Sequence, residues 1–467
     1  MKTGIAAGHP ATAAAGAEIL EAGGTAADAA VAASLASCVA ETVMTGFLGG
    51  GHAVYFDAAS GETWNLDCFC AVPGIGREPR PAELVELQVP FGDESIHYSI
   101  GPASCAVPGL PAGLDALWQR YGRLPWPELC TPALRLAREG VAMPPAHASC
   151  LAMLEPAMTM NEGARIYSPG GRLLQAGGRL EQPGLVRALE LVAEEGALSV
   201  YRGSIAQILL DLMDERGGLV TGDDLGEYRA RWLEPCSCGY LHWKALTRRG
   251  LHPVSSAFAR LGGLKGRGRD ATERVLALVD ALALDAHLER GADTTNVSVV
   301  DEEGNACAFT TSLGLGSGDF LPGLDLHLNS MLGEVELLAD SVAPGERMES
   351  MMAPTLFFSQ EDGALSLVVG AASGSRLRTA LVTTAAFVLD LQAPPDEAVA
   401  APRVHPTGTV VHAEPGIDGR ALERLEERGR RVRRWPEQHH YFGGVSLVAR
   451  RGAAGDPRRN GAAHVLA

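Results

Sequence analysis

The sequence predicts an α+β fold in which antiparallel sheets are covered by helices. Three observations carry this reading. Short apolar-alternating runs come in pairs joined by turn residues; well-capped, alanine-rich helices precede them; and strong helical periodicity follows them. With 467 residues, 46% of them hydrophobic and only 5% aromatic, the chain can bury one large core or two to three ordinary ones.

The elements follow in order. Pro10 to Ala22 reads as a helix stopped by Gly23-Gly24. Thr25 caps a second helix that runs to about Ala40, with Asp28 in the capping-box position. Gly46 to Gly51 is a glycine-rich loop. No helix follows it and no Lys-Ser/Thr closes it, so it reads as close backbone packing rather than a phosphate cradle. His52–Asp57 and Thr63–Asp67 form a hairpin. From Leu110 to Glu227 the pattern is helical. Arg231 to Thr294 resists assignment, and Leu261 to Arg269 reads as a flexible connection. Beyond Thr294, Val297–Asp301 pairs with Ala306–Ser312 around Glu303-Gly-Asn. Leu356–Ser359 pairs with Ala364–Val369 around Gln360-Glu-Asp-Gly. Helices over Arg376–Leu391 and Ala421–Arg428 and a strand over Val445–Arg450 complete the chain.

Composition excludes several functions. A net charge of −17 argues against nucleic acid and anionic membrane as partners, since both are bound by clustered cations. The one basic run, Arg428 to Arg434, follows Glu426-Glu427 and reads as a solvated helix end. Nine cysteines include two C-x-C pairs, Cys68/Cys70 and Cys236/Cys238, but no C-x-x-C, so zinc spacing is missing and buried free thiols are expected. No stretch reaches membrane-spanning length and the first ten residues carry no apolar signal region, which points to a cytoplasmic protein. No metal or organic cofactor is implied.

Thr294 and Thr295 stand directly ahead of a strand. β-branched residues favour strands, which explains the pair without any chemistry. A threonine that becomes a chain terminus, however, carries a hydroxyl nucleophile and an α-amine base on one residue. The surrounding motifs choose between these readings. His9-Pro10, Gly23–Val31, Thr45–Gly51, Ala106–Gly113, Tyr201–Ala206, Gly218–Leu225, Asp293–Asn305, Leu328–Glu334, Ser350–Thr355 and Gly370–Arg376 occur in an order that resembles the γ-glutamyltransferase family of N-terminal-nucleophile hydrolases.

The resemblance implies a four-layer αββα sandwich that cuts itself into a large-subunit-like segment, 1–293, and a small-subunit-like segment, 294–467, which stay associated. It makes Thr294 the nucleophile, with Thr295 behind it. Ser312 falls where the family has a threonine that positions the α-amine. Ser373 and Gly374 fall where backbone N–H groups form the oxyanion hole. The family's α-carboxylate anchor, an arginine, falls at Phe69, and its two assisting serines at Ser350 and Met351. The residues that hold the α-ammonium fall at Gly314 and Gly333. Arg77 and Arg376 are candidates to replace the arginine, and Glu334 to replace the lost acid. The family's serine- and glycine-rich segment is reduced to His252–Ser256, as though a helical cap had been pruned.

The expected activity is acyl transfer from a small-molecule amide or peptide, γ-glutamyl or related, to water or an amine through Thr294. A specialised relative acting on a non-glutamyl metabolite and an inert scaffold are the alternatives.

Overall fold

Strands buried on both faces require cover on both sides. Every residue of Thr295–Val300, Ala306–Ser312 and Leu365–Ala372 is buried, so these strands sit at the centre of a layered molecule. The computed structural model describes residues 1–77, 83–91, 94–249, 252–266, 270–283, 294–334 and 343–466.

Two antiparallel sheets form the middle layers. The first orders its strands Ala462–Val465, Gly4–Ala7, Thr295–Val300, Ala306–Ser312, Gly50–Asp57, Glu62–Cys68 and Arg231–Leu233. The second runs Gly452–Gly455, Gly444–Ala449, Leu365–Ala372, Thr355–Ser359, Trp243–Thr247 and Cys236–Tyr240. Val54, Val300, Ala306 and Ala308 of the first sheet pack on Leu356, Phe358, Val368 and Val448 of the second. Helices Pro10–Glu21, Ala26–Ala40, Leu110–Tyr121 and Trp126–Glu139 cover the outer face of the first sheet. Helices His252–Leu261, Ala271–Leu282, Arg376–Leu389 and Gly419–Glu427 cover that of the second. The result is the expected αββα sandwich.

Local chemistry explains the helix positions. Thr25 accepts from the Asp28 N–H while Asp28 accepts from the Thr25 N–H, the reciprocal capping box expected from sequence. The glycine-rich loop is packing, as read. A Cβ on Gly49 would overlap the Ser312 carbonyl, and one on Gly50 would come within 2.8 Å of the Cys70 N. The Gly49 carbonyl also accepts from the N–H groups of Gly109 and Leu110.

Several expectations need correction. The basic run is not a helix end throughout, because Arg431–Arg434 is a strand paired in parallel with Val410–Ala413. The unassigned stretch after Arg231 supplies two strands of the second sheet and two of its covering helices, and His252–Ser256 opens one of these. Strand Gly4–Ala7 and the hairpin Val85–Phe91 with Glu94–Ile100 had no clear sequence signal. Arg267 to Arg269 and Asp293 lie outside the described residues. Among the described residues no disulfide is seen, and no helix is long and apolar enough to cross a membrane. Both sheets contain strands from either side of residue 294, interleaved in the first and side by side in the second, so the two segments share one fold.

Candidate active site

Thr294 lies at the mouth of the first sheet, one residue ahead of the strand Thr295–Val300, and is 3% exposed. Thr295 pairs with Thr311 across the ladder, so one further step in the same register sets Ser312 opposite Thr294. The Ser312 hydroxyl accepts from the Gly314 N–H at 3.0 Å, which turns the chain at the strand end. The expected nucleophile and its positioning hydroxyl are therefore brought together by strand pairing alone.

Ser373 and Gly374 join the strand Leu365–Ala372 to the helix Arg376–Leu389. Ser373 has φ +96 and Gly374 φ +41. A serine in that region is strained by about 1–3 kcal/mol, and such strain persists where the surroundings fix it. Among the described residues neither N–H donates to a backbone carbonyl, and Gly374 faces Thr294 across a cleft. N–H donors left free near a hydroxyl would suit a developing oxyanion.

The cleft is narrow, with a cavity volume of about 30 Å³. Besides Thr294, Ser312 and Gly374 it is walled by Phe69, Met331, Met351, Met352, Leu377, Ser350 and Glu334. Phe69 stands where an arginine was missed. Its N–H donates to Asp67, its carbonyl accepts from Tyr228 at 2.6 Å, and His52 stacks beneath its ring at 5.6 Å. Burial, reinforced by the Arg248 charge, pushes His52 down to about 3, so it underlies the wall as a neutral ring. Arg248 holds the opposite wall from behind, donating to the carbonyls of Ser350 and Met352. Met331 sits on a loop fixed by Asn329, which bonds Leu48 and both backbone groups of Ala106.

No substitute arginine reaches the cleft among the described residues. Arg77 pairs with Asp214 near the surface. Arg376 is buried, donates to the Ser375 hydroxyl and lies over the Tyr441 ring at 5.3 Å, so it does not line the cleft. The acidic side is different. Gly333 cannot carry a side chain, because a Cβ there would overlap the Ser99 carbonyl. Gly314 leaves the space that the Glu334 carboxylate fills, since a Cβ on it would lie 2.8 Å from a Glu334 oxygen. The two glycines and Glu334 thus form one arrangement, with Glu334 the acidic side chain on the cleft wall.

Sequence reasoning did not foresee what lies behind residue 294. The Thr295 hydroxyl donates to Glu41 at 2.6 Å, and Arg459 reaches the Thr294 carbonyl at 3.4 Å. Glu41 is 1% exposed, and burial raises it to about 6 against the opposing hydroxyl bonds and the Arg459 charge. His147, lowered to about 3 by burial, lies in the same region.

A hydroxyl residue at the start of an inner strand of an αββα sandwich is the arrangement of the N-terminal-nucleophile class of hydrolases. The chain belongs to the Gamma-glutamyltranspeptidase family, whose sequence profile matches residues 12–262 and 269–466. It is 28% identical to the acylase ACY 1 proenzyme of Pseudomonas sp. (strain V22), over 94% of this chain and 88% of that one. It is also 28% identical to the glutathione hydrolase proenzyme of Pseudomonas aeruginosa, over 96% and 92%. In fold it is similar to a cephalosporin acylase from Bacillus halodurans, with a TM-score of 0.85, 23% identity and coverage of 100% and 96%. The protein is accordingly an enzyme of amide acyl transfer or hydrolysis.

Proposed function

We propose that Thr294 becomes a new N-terminus and then accepts acyl groups that carry no carboxylate. In the first stage its hydroxyl attacks the carbonyl of residue 293. The peptide C–N bond breaks, the acyl chain passes to the Thr294 oxygen as an ester, and water releases it, leaving the Thr294 α-amine free. Residues 1–293 and 294–467 remain one fold because both sheets bind them together.

In turnover the α-amine takes the hydroxyl proton as the oxygen attacks an amide carbonyl, and the Ser373 and Gly374 N–H groups stabilise the oxyanion. The C–N bond breaks, the proton leaves with the amine, and an acyl ester forms. Water or a second amine then takes the acyl group. Ser312, across the ladder from Thr294, supports the amine.

One observation carries the acyl specificity. The wall is Phe69, Met331, Met351, Met352 and Leu377, and no cationic side chain lines it among the described residues. A γ-glutamyl head group would bring its α-carboxylate into an apolar wall that also holds Glu334. An unpartnered or like-charged ion there costs about 2–5 kcal/mol, roughly thirtyfold to several thousandfold in affinity. The acylase relative is in keeping with this reading. The test compares butyryl and γ-glutamyl p-nitroanilides. Butyryl turnover should have the higher kcat/KM by at least about tenfold, and a γ-glutamyl preference would overturn the assignment. A reducing compartment belongs to the same proposal, supported by the seven buried thiols.

A further inference from the structure

Cleavage before Thr294 creates a mechanical problem that the cleft does not solve. A new chain terminus frays unless it is tied down, whereas a nucleophile has to be held to within a fraction of an ångström. The side of the strand opposite the cleft contains a device suited to this. Glu41 ends the helix Ala26–Ala40, and its carboxylate accepts from the hydroxyls of Thr12 and Thr295, both at 2.6 Å. Glu41 is itself fixed: its N–H donates to the Ser37 carbonyl, and its carbonyl accepts from the N–H groups of Met44 and Thr45. Gly8 leaves the room for this contact, since a Cβ there would fall 2.5 Å from the carboxylate and 2.6 Å from the Thr295 hydroxyl. From the other end of the chain, Arg459 reaches the Thr294 carbonyl and the Met44 sulfur.

We propose that Glu41 and Arg459 are positioning residues that clamp the freed terminus, the anion on the hydroxyl of residue 295 and the cation on the carbonyl of residue 294. The inference rests on the reading of Thr294 as the nucleophile. With both neighbours of the 294–295 peptide held, rotation is left mainly to the Thr294 α-amine and side chain, the groups that react. Stability alone does not account for a carboxylate here. A buried ion is costly, and a well-packed apolar group of similar volume is often as stable or more so. Burial raises Glu41 to about 6, which is the mark of that cost. The charge next to the terminus is thus explained by geometry at the nucleophile.

The test uses the full chain with three changes: Glu41→Gln, Thr295→Val and the double substitution. Fraction cut, melting temperature, and kcat and KM per cut site are measured. Each single change should slow cutting and lower kcat by roughly ten- to a hundredfold, with KM within about threefold of the parent. The double should be no slower than the worse single, because both remove one contact. A variant that folds with a parent-like melt but stays uncut gives the same support. Unchanged kcat, losses that multiply, an effect confined to KM, or loss of the cooperative melt in both singles would overturn the clamp. Thr294→Ala separates the two levels. If it remains active the nucleophile assignment fails; if it is inactive while Glu41→Gln is fully active, only the clamp fails.

Discussion

The two sides of residue 294 are built from opposite chemistry. The cleft side is walled mainly by phenylalanine, methionine and leucine, with Ser350 and Glu334 among them. On the other side lie Glu41, His147, Asp456 and Arg459. The cleft wall is held by backbone groups and buried cations set behind it, such as Arg248, so its own side chains are left to select the acyl group. The back is a polar lattice whose bonds are made to Thr294 and Thr295. Under the proposed function, the groups that react and the wall that recognises share the cleft, while the contacts that hold residues 294 and 295 in place lie on the opposite side.

The strongest way to break this division is Thr294→Ala. It should abolish both chain cutting and turnover, a loss of at least about ten-thousandfold, read by denaturing gel and anilide release. Residual turnover near the parent rate would move the nucleophile elsewhere. Next in size is Phe69→Arg, which touches only the cleft. It should raise kcat/KM for γ-glutamyl p-nitroanilide and lower it for the butyryl compound, each by about tenfold, without affecting cutting. A parallel loss on both substrates would show that Phe69 supports the reaction rather than the selection.

The back face predicts acid sensitivity. Burial lowers His9 to about 4, His147 to about 3 and His440 to about 2, all below the ordinary histidine value. The folded state binds these protons less readily than the unfolded chain, so stability is full above about pH 6.5 and falls as pH drops below it, by on the order of 2 kcal/mol per ring at pH 5. Glu41 has the opposite sign. Its folded value is raised, so its ionisation costs stability above about 6 and that cost is relieved towards acid. Three rings against one carboxyl leave a net loss, and a melting temperature that does not fall from pH 7 to pH 5 would contradict the burial of these rings as neutral groups. The smallest expected effect is Ser373→Gly. Relief of a positive φ should raise stability by about 1 kcal/mol, less the entropy that glycine adds to the unfolded chain, while activity stays within about threefold because the N–H donor remains.

What could be read in the sequence follows the range of the interactions. The capping box at Thr25 and the hairpin turns are local, and both appear where the residues place them. Ordered motifs single out Thr294, Ser312, Ser373 and Gly374 as candidates, and strand pairing brings the first two into register. Cys236–Tyr240 was hidden because Cys-Ser-Cys-Gly-Tyr has little strand character, and its hairpin partner Trp243–Thr247 finds its next neighbour more than a hundred residues away in Thr355–Ser359. Charge concealed the strand Arg431–Arg434, which read as solvated helix. Glu41 was not recoverable at all: its bond to Thr295 spans 254 residues, and no local pattern marks a carboxylate that a helix end delivers to a distant strand. Arg376 shows the converse, a cation two residues from Gly374 in sequence but turned onto Tyr441 by packing.

Both the cutting and the selectivity turn on Thr294 as a proposed chain terminus that takes acyl groups without a carboxylate. Intact-mass measurement after brief incubation with equal butyryl and γ-glutamyl p-nitroanilide tests both parts together. The expected product is a fragment beginning at Thr294 that carries a butyryl group. An uncut chain, or a fragment acylated with γ-glutamate in preference, would contradict it.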